Sequence, residues 1–267
     1  MNRIDEKFRE LKSQKKKALI TYITAGDPDL STTKRISLAL ESSGVDIIEL
    51  GIPFSDPLAD GPVIQAASHR ALLRGASLRK IFYAVKDIRR STQIPLVFMT
   101  YYNPVLRYGI QDFVKSCRDT GVDGVIIPDL PYEEAKDLVS AARIGRISTI
   151  FLAAPTSTKA RIKHIAKYSS GFIYYVSLTG VTGARSKLPA ELTANIRTIK
   201  SMTKKPVAVG FGISTPLQAR EVARHADGVI VGSAIVKIIA DNQKNHKALL
   251  LKVSNFAQKL SGAIHGA

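Results

Sequence analysis

GVDIIELG, residues 44–51, returns in altered form as GVDGVIIPD at 121–129 and ADGVIVGS at 226–233. In each copy an aspartate (Asp46, Asp123, Asp227) opens a run of β-branched residues, so one helix-to-strand turn is used three times. Outward from these copies the chain alternates. ALITYITAG (18–26) leads into the helical pattern STTKRISLALESSG (31–44), and DIIELGIP (46–53) leads into VIQAASHRALLRG (63–75) and SLRKIFYAVKDIRRS (77–91). In the last of these, Leu78, Ile81, Phe82, Val85 and Ile88 share one face, and Ser77 is placed to cap it. PLVFMTYYNP, DGVIIPDLP, STIFLAAP, GFIYYVSLTG, PVAVGFG and DGVIVGSA bring the predicted strands to eight, each followed by a helix. Two of those helices are the clearest: one predicted from Tyr132, with Ala135, Leu138, Val139 and Ala142, and the last, with Leu249, Val253, Phe256 and Leu260.

Near-continuous apolar strands alternating with helices call for a parallel sheet covered by helices. Eight units of about 33 residues each fit a closed (β/α)8 barrel, for which ~250 residues is typical. An open doubly wound sheet is the alternative, but no G-x-G-x-x-G stands between the first strand and its helix. No linker or composition break interrupts residues 1–267. The expectation is an α/β protein: a single TIM-barrel domain with an extra N-terminal helix, in which Ile4, Phe8 and Leu11 recur at helical spacing.

The 45% apolar content and a mean hydropathy near zero describe a globular chain, and no apolar run approaches the ~18 residues of a membrane span. The N-terminus lacks the apolar region of a secretory signal, and the single cysteine, Cys117, reads as a small core side chain in a reducing compartment. A cytoplasmic protein without membrane partner is expected. The net charge of +17 suggests a polyanion. Apart from Lys15–Lys17, however, basic residues such as Arg79, Lys80, Lys86 and Lys163 are strewn along polar helix faces without interleaved aromatics, so no nucleic-acid partner is expected.

A barrel of this kind carries its site on the loops after the strands. The acids there are Asp27, Glu49, Asp56, Asp60 and Asp129; no strand end carries a lysine, which argues against a Schiff base. The five histidines lack metal-binding spacing and no G-x-S-x-G appears, so carboxylate acid–base chemistry without a metal is expected. Alternation puts Glu49 on one strand face with Ile47 and Gly51. Pointing inward, its carboxyl would be desolvated and raised toward neutrality, although a glutamate held by a hydrogen bond or ion pair fits the same pattern. Asp60 sits in a loop stiffened by Pro53, Pro57 and Pro62, which preorganises it; Asp before Gly is also ordinary turn chemistry, and Asp56 before Pro57 shares that reading. Glycines in GVTGA (180–184), GFGIS (210–214) and GSA (232–234) follow the last three predicted strands, where barrels hold phosphate on backbone N–H groups, and Thr215-Pro216 suits a helix start; tight turns alone also explain them.

Together ELGIPFSDPLADGP (49–62), ITAGDPD (23–29), PDLPYEE (128–134), GVTGAR (180–185), GFGIS (210–214) and GSAIVK (232–237) closely resemble the α subunit of tryptophan synthase, in order along nearly the whole chain. The resemblance implies a lyase that splits indole-3-glycerol phosphate into indole and glyceraldehyde 3-phosphate, without metal or cofactor. It implies Glu49 as the acid–base group, Asp60 as acceptor from the indole N–H, Tyr174 beside the substrate and Thr182 supporting the loop aspartate. It places Gly183, Gly212, Gly232 and Ser233 at the phosphate, and Tyr22, Ile64, Met99 and Ile126 around the pocket. Tyr22 stands where phenylalanine is often found, and Leu178 where some members have arginine. The partner implied is a pyridoxal-phosphate-dependent β subunit in an α2β2 tetramer, receiving indole through a tunnel and facing Asp56 and the loops at 101–107 and 129–135. The competing readings are a non-catalytic activator of that partner and another phosphate-binding barrel isomerase or epimerase.

Overall fold

Val, Ile and Thr are stiff at χ1 and pack well on a pleated surface, and the runs rich in them form strands. A computed structural model describes residues 2–176, 190–210 and 212–266. Its nine parallel strands are β1 (Ala18–Thr24), β2 (Ile47–Gly51), β3 (Leu96–Met99), β4 (Gly124–Ile126), β5 (Ser148–Ile150), β6 (Leu152–Ala153), β7 (Ile173–Val176), β8 (Val207–Gly210) and β9 (Gly228–Val231). The helices are α1 (Arg3–Ser13), α2 (Leu30–Ser42), α3 (Pro62–Leu73), α4 (Leu78–Arg89), α5 (Tyr102–Tyr108), α6 (Ile110–Thr120), α7 (Lys136–Gly145), α8 (Lys159–Tyr168), α9 (Ala190–Met202), α10 (Pro216–Ala223), α11 (Ser233–Asp241) and α12 (His246–His265).

The strand order is β5-β4-β3-β2-β1-β9-β8-β7-β6. Its two ends are consecutive in the chain, separated only by Phe151, whose carbonyl accepts the Tyr174 N–H at 3.1 Å. The sheet therefore closes into a barrel of eight staves. The single strand expected in STIFLAAP is split at Phe151: β5 pairs with β4 (Ile126↔Ile150), and β6 pairs with β7 (Leu152↔Tyr174). Barrel closure staggers neighbouring strands, so one short stave meets its two neighbours at different heights.

Side-chain alternation then divides the core. Ile20, Ile47, Val97, Ile126, Ile150, Ala208 and Ile230 point inward and pack with Ile4, Phe8 and Leu11 of α1. Leu19, Ile48, Leu50, Phe98 and Val125 point outward under the helices. The expected N-terminal helix thus plugs the barrel floor; Asn2 caps it by accepting the Ile4 N–H at 2.9 Å, and the Phe8 ring lies 5.7 Å from Phe172. Ser77 caps α4, and Cys117 is fully buried, as the sequence suggests. The helix predicted from Tyr132 begins only at Lys136. Glu134 and Ala135 return N–H groups to Pro131 and Tyr132 as separate turns, and the Tyr132 ring stacks on His164 at 5.4 Å. No helix among the described residues is long and apolar enough to cross a membrane.

The threefold sequence echo has a common structural role at the barrel floor. Asp46, Asp123 and Asp227 each donate a backbone N–H to a residue on the neighbouring stave, Leu19, Leu96 and Val207, at 2.8–2.9 Å. In each case the carboxylate accepts the N–H of that same residue, at 2.8, 2.9 and 3.0 Å. A basic side chain completes every copy: the His265 imidazole lies 3.1 Å from Asp46, Arg3 and Arg89 pair with Asp123, and Lys200 pairs with Asp227. The Asp123–Arg89 pair, at 2.6 Å, is nearly inaccessible to water. Removing one partner of such a pair strands the other, a loss of about 3–5 kcal/mol. We expect Asp123→Ala to lower stability in urea titration by that order, and Asp119→Ala, at the exposed Arg118 pair, by no more than about 0.5 kcal/mol. Equal effects of the two substitutions would show that the floor motif does not brace the barrel.

Candidate active site

Glu49 is the third residue of β2, in register with Tyr22 on β1 and Val97 on β3. It faces inward at the level where the apolar interior gives way to the barrel mouth. Its side chain is fully buried, and neither carboxyl oxygen has a hydrogen-bond partner among the described residues. Burial pushes its pKa up to about 8. Such a group is mostly protonated at neutral pH yet close enough to ionising to give and take a proton.

Asp60 enters from the loop between β2 and α3. That loop is held by its own bonds, Asp60 N–H to Pro57 O at 3.0 Å and Gln65 Nε2 to Asp60 O at 2.8 Å. The Tyr101 hydroxyl donates to Asp60 Oδ2 at 3.1 Å and accepts the Ala59 N–H at 3.0 Å, gripping both residues. Burial raises the Asp60 carboxyl to about 6, and the Tyr101 donor offsets part of that rise. At neutral pH the two carboxyls therefore differ: Glu49 is mostly an acid and Asp60 mostly a carboxylate, the separation that assigns acid and base roles.

Both carboxyls line one cavity of about 300 Å³. Tyr22, Ile64, Met99, Leu152 and Tyr174 form its apolar body, and Gly212, Gly232 and Ser233 lie along it. The inward position Gly51 makes room for Tyr22: a Cβ there would collide with the Tyr22 hydroxyl and ring. That hydroxyl lies 3.3 Å from Thr24 Oγ1. Burial, then the nearby Asp60, pushes its pKa far up, so it stays neutral. Gly212 has φ +72°, a left-handed backbone that favours glycine. Ser233 begins α11 after Gly232, which supplies no side-chain cap, so the first-turn N–H groups and the positive end of the helix face this side of the cavity. Thr215 and Pro216 start α10 as expected.

Other expected positions are placed differently. Ile126 lies in the barrel-interior cluster, paired with Met99 in register, and does not line the cavity. Thr182, Gly183 and Leu178 lie outside the described residues. Asp27 is buried in a two-point ion pair with Arg70 (3.0 and 2.7 Å), tying the first loop to α3. Asp129 accepts the Tyr102 N–H at 2.9 Å and caps α5, and Asp56 is exposed. Residues not singled out from sequence also contribute: Leu152 and Ile230 line the cavity, each on the inward alternation of its stave, and Pro128 joins them. Tyr101 has no sequence signal, because its hydroxyl reaches Asp60 across 41 positions.

A closed barrel with two differently ionised carboxyls at its mouth places the chain among (β/α)8 enzymes that work by acid–base chemistry. The tryptophan synthase alpha chain family matches over residues 8–265, and the chain belongs to that family of lyases. The alpha chain of Thermoanaerobacter sp. (strain X514) is 52% identical over 260 residues, covering 97% of this chain and 98% of that one. The Geotalea daltonii alpha chain is 50% identical over 264 residues, covering 99% of each. Among solved structures, tryptophan synthase subunit alpha from Legionella pneumophila superposes with a TM-score of 0.93 at 38% identity over the full length of both chains. A chain from the tryptophan synthase α2β2 complex of Pyrococcus furiosus does so with a TM-score of 0.86 at 43% identity, covering 92% of this chain and 99% of that one.

Two outcomes follow from the ionisation of the pair. The folded pKa of Glu49 lies above its unfolded value of 4.5, so the folded state holds the extra proton and stability falls as pH rises from about 4.5 to about 8. Glu49→Gln has no such penalty. Its stability relative to wild type is expected to grow by up to ~1.4 kcal/mol per pH unit across that window and then level off; a constant difference in urea titrations at pH 5, 7 and 9 would refute a desolvated Glu49. Tyr101→Phe deletes the donor to Asp60 and is expected to raise that carboxyl further above about 6, as read by carboxyl-carbon NMR titration.

Proposed function

We propose that this chain cleaves indole-3-glycerol phosphate to indole and glyceraldehyde 3-phosphate, with Glu49 and Asp60 as the acid–base pair of a retro-aldol step in a single barrel domain. The observation that carries this reading is the fully buried Glu49 carboxyl, without a hydrogen-bond partner among the described residues, mostly protonated at neutral pH and lining the same cavity as a mostly ionised Asp60. Glu49 gives its proton to the indole ring carbon that bears the glycerol chain. Asp60 accepts from the ring N–H and stabilises the positive charge that develops there. The Glu49 carboxylate then takes the glycerol hydroxyl proton as the carbon–carbon bond breaks, the bonding electrons return to the ring, and Glu49 ends protonated as it began. Nothing is oxidised or reduced, so the step needs no redox cofactor.

Tyr22, Ile64, Met99 and Tyr174 would pack against the indole and its linker, with Gly212, Gly232, Ser233 and the α11 terminus holding the phosphate. Gly183 would join them and Thr182 would brace Asp60. The Pyrococcus furiosus relative is part of an α2β2 complex. By the same association this chain would pass indole to a pyridoxal-phosphate-dependent β subunit in the cytoplasm. Leu58, 93% exposed beside Asp56, and Leu106, 49% exposed on α5, supply apolar contact area on the segments assigned to that partner.

Indole release measured with a β subunit present tests the reading. Glu49→Gln is expected to lose at least ~10²-fold in turnover while remaining folded, because positioned acid–base groups contribute 10²–10⁴-fold. Wild-type turnover in that variant would defeat the mechanism. No turnover from the unmodified chain, with β activity still stimulated, would identify it as an activator.

A further inference from the structure

The lysine run Lys15–Lys17 and the chain's excess of positive charge are not used by the site at the barrel mouth. At the opposite end, a cleft of about 460 Å³ opens beside α1. Lys12, Lys15, Lys16 and Lys17 line one side of it, from the end of α1 to the start of β1. Lys200, Lys204 and Lys205 line the other, from α9 to the start of β8. The cleft's one carboxylate, Asp227, is already paired with Lys200 at 2.7 Å and bonded to the Val207 N–H. Lys205 donates to the Ala166 carbonyl. Lys12, Lys15, Lys16, Lys17 and Lys204 form no ion pair with any described residue.

Backbone geometry adds a second observation. α1 ends in a Schellman turn, with the Lys16 N–H on Leu11 O at 2.8 Å and the Lys15 N–H on Lys12 O at 3.1 Å. The left-handed position of that turn usually takes glycine, yet here Lys15 occupies it at φ +56°. The chain tolerates an unfavourable backbone conformation and mutual repulsion of like charges at the same place. A concave wall lined by one sign of charge focuses the field and concentrates counter-ions. Every cation is a lysine, a compact point charge suited to phosphate oxygens, and none is the planar fork of arginine. The aromatic ring in the wall, Phe8, is 7% exposed, so no stacking platform for a base is offered.

We propose that this floor cleft binds a linear oligophosphate, either free or as the phosphate tail of a nucleotide, at a site separate from the barrel mouth. The test is calorimetric titration of the full chain at 50 and 150 mM salt, with the mouth filled by indole-propanol phosphate. The titrants are inorganic tripolyphosphate, ATP, orthophosphate and a single-stranded 20-mer oligonucleotide. Tripolyphosphate is expected to bind one to one, at least tenfold more tightly than orthophosphate, and more weakly at the higher salt. ATP weaker than tripolyphosphate would point to the free oligophosphate, and ATP equal or tighter to the nucleotide; either supports the site. The variant Lys15→Asn, Lys16→Ser, Lys204→Ser is expected to lose at least tenfold in tripolyphosphate affinity with indole release unchanged. A control variant, Lys86→Ser, Lys163→Ser, Lys259→Ser, removes the same charge from exposed positions outside the cleft and is expected to bind as wild type does. Equal losses in both variants, no preference over orthophosphate, or tighter binding of the 20-mer than of tripolyphosphate would each overturn the proposal.

Discussion

A carboxyl group moved from water into an apolar wall without a partner opposes folding, and Glu49, on the inner face of β2, has no hydrogen-bond partner among the described residues. The site depends on this unfavourable burial, because the same desolvation that opposes folding keeps the proton on Glu49 near neutral pH. A hydrogen-bond donor within reach would relieve the strain and also lower the pKa, removing the acid. The barrel supplies what such a group requires: rigid staves on both sides, an apolar layer beneath, and enough cohesion elsewhere to outweigh the penalty.

Much of that cohesion lies at the other end of the molecule. The plug of Ile4, Phe8 and Leu11 fills the barrel floor, and the three aspartates at strand starts clamp neighbouring staves by backbone and side chain together. Bracing and chemistry are thereby separated along the barrel axis. The floor tolerates buried charge because each aspartate there has a backbone N–H donor and a basic side chain beside it, whereas Glu49 at the mouth has no hydrogen-bond partner among the described residues. Two carboxyl environments in one fold thus have opposite purposes, set by what surrounds them.

Asp60 follows a third pattern. It belongs to a loop, and loops acquire precision only from what anchors them. Proline stiffening limits its wandering, but its position is set by Tyr101, which is placed by α5, whose first turn is capped by Asp129 from the loop after β4. Three successive mouth loops are linked by this chain of hydrogen bonds, so a change at the loops carrying Asp129 or Tyr101 reaches the carboxylate that shares a cavity with Glu49.

The eight-stave architecture, the amphipathic first helix, the shared face of Ile47, Glu49 and Gly51 and the stiff loop of Asp60 were all legible in the sequence, because each rests on local periodicity or on the fixed geometry of proline; that this face points inward was decided by the closed barrel. The strand echo at Asp46, Asp123 and Asp227 was visible as a pattern, but its clamping role was not, since its hydrogen-bond partners lie on another stave. The split of one strand at Phe151, the retreat of Ile126 from the cavity, the grip of Tyr101 on Asp60 and the meeting of Lys15–Lys17 with Lys200–Lys205 were decided only by the tertiary structure. Barrel closure fixes the height and neighbour of every stave at once, and it brings together side chains as far as 219 residues apart that no local pattern relates.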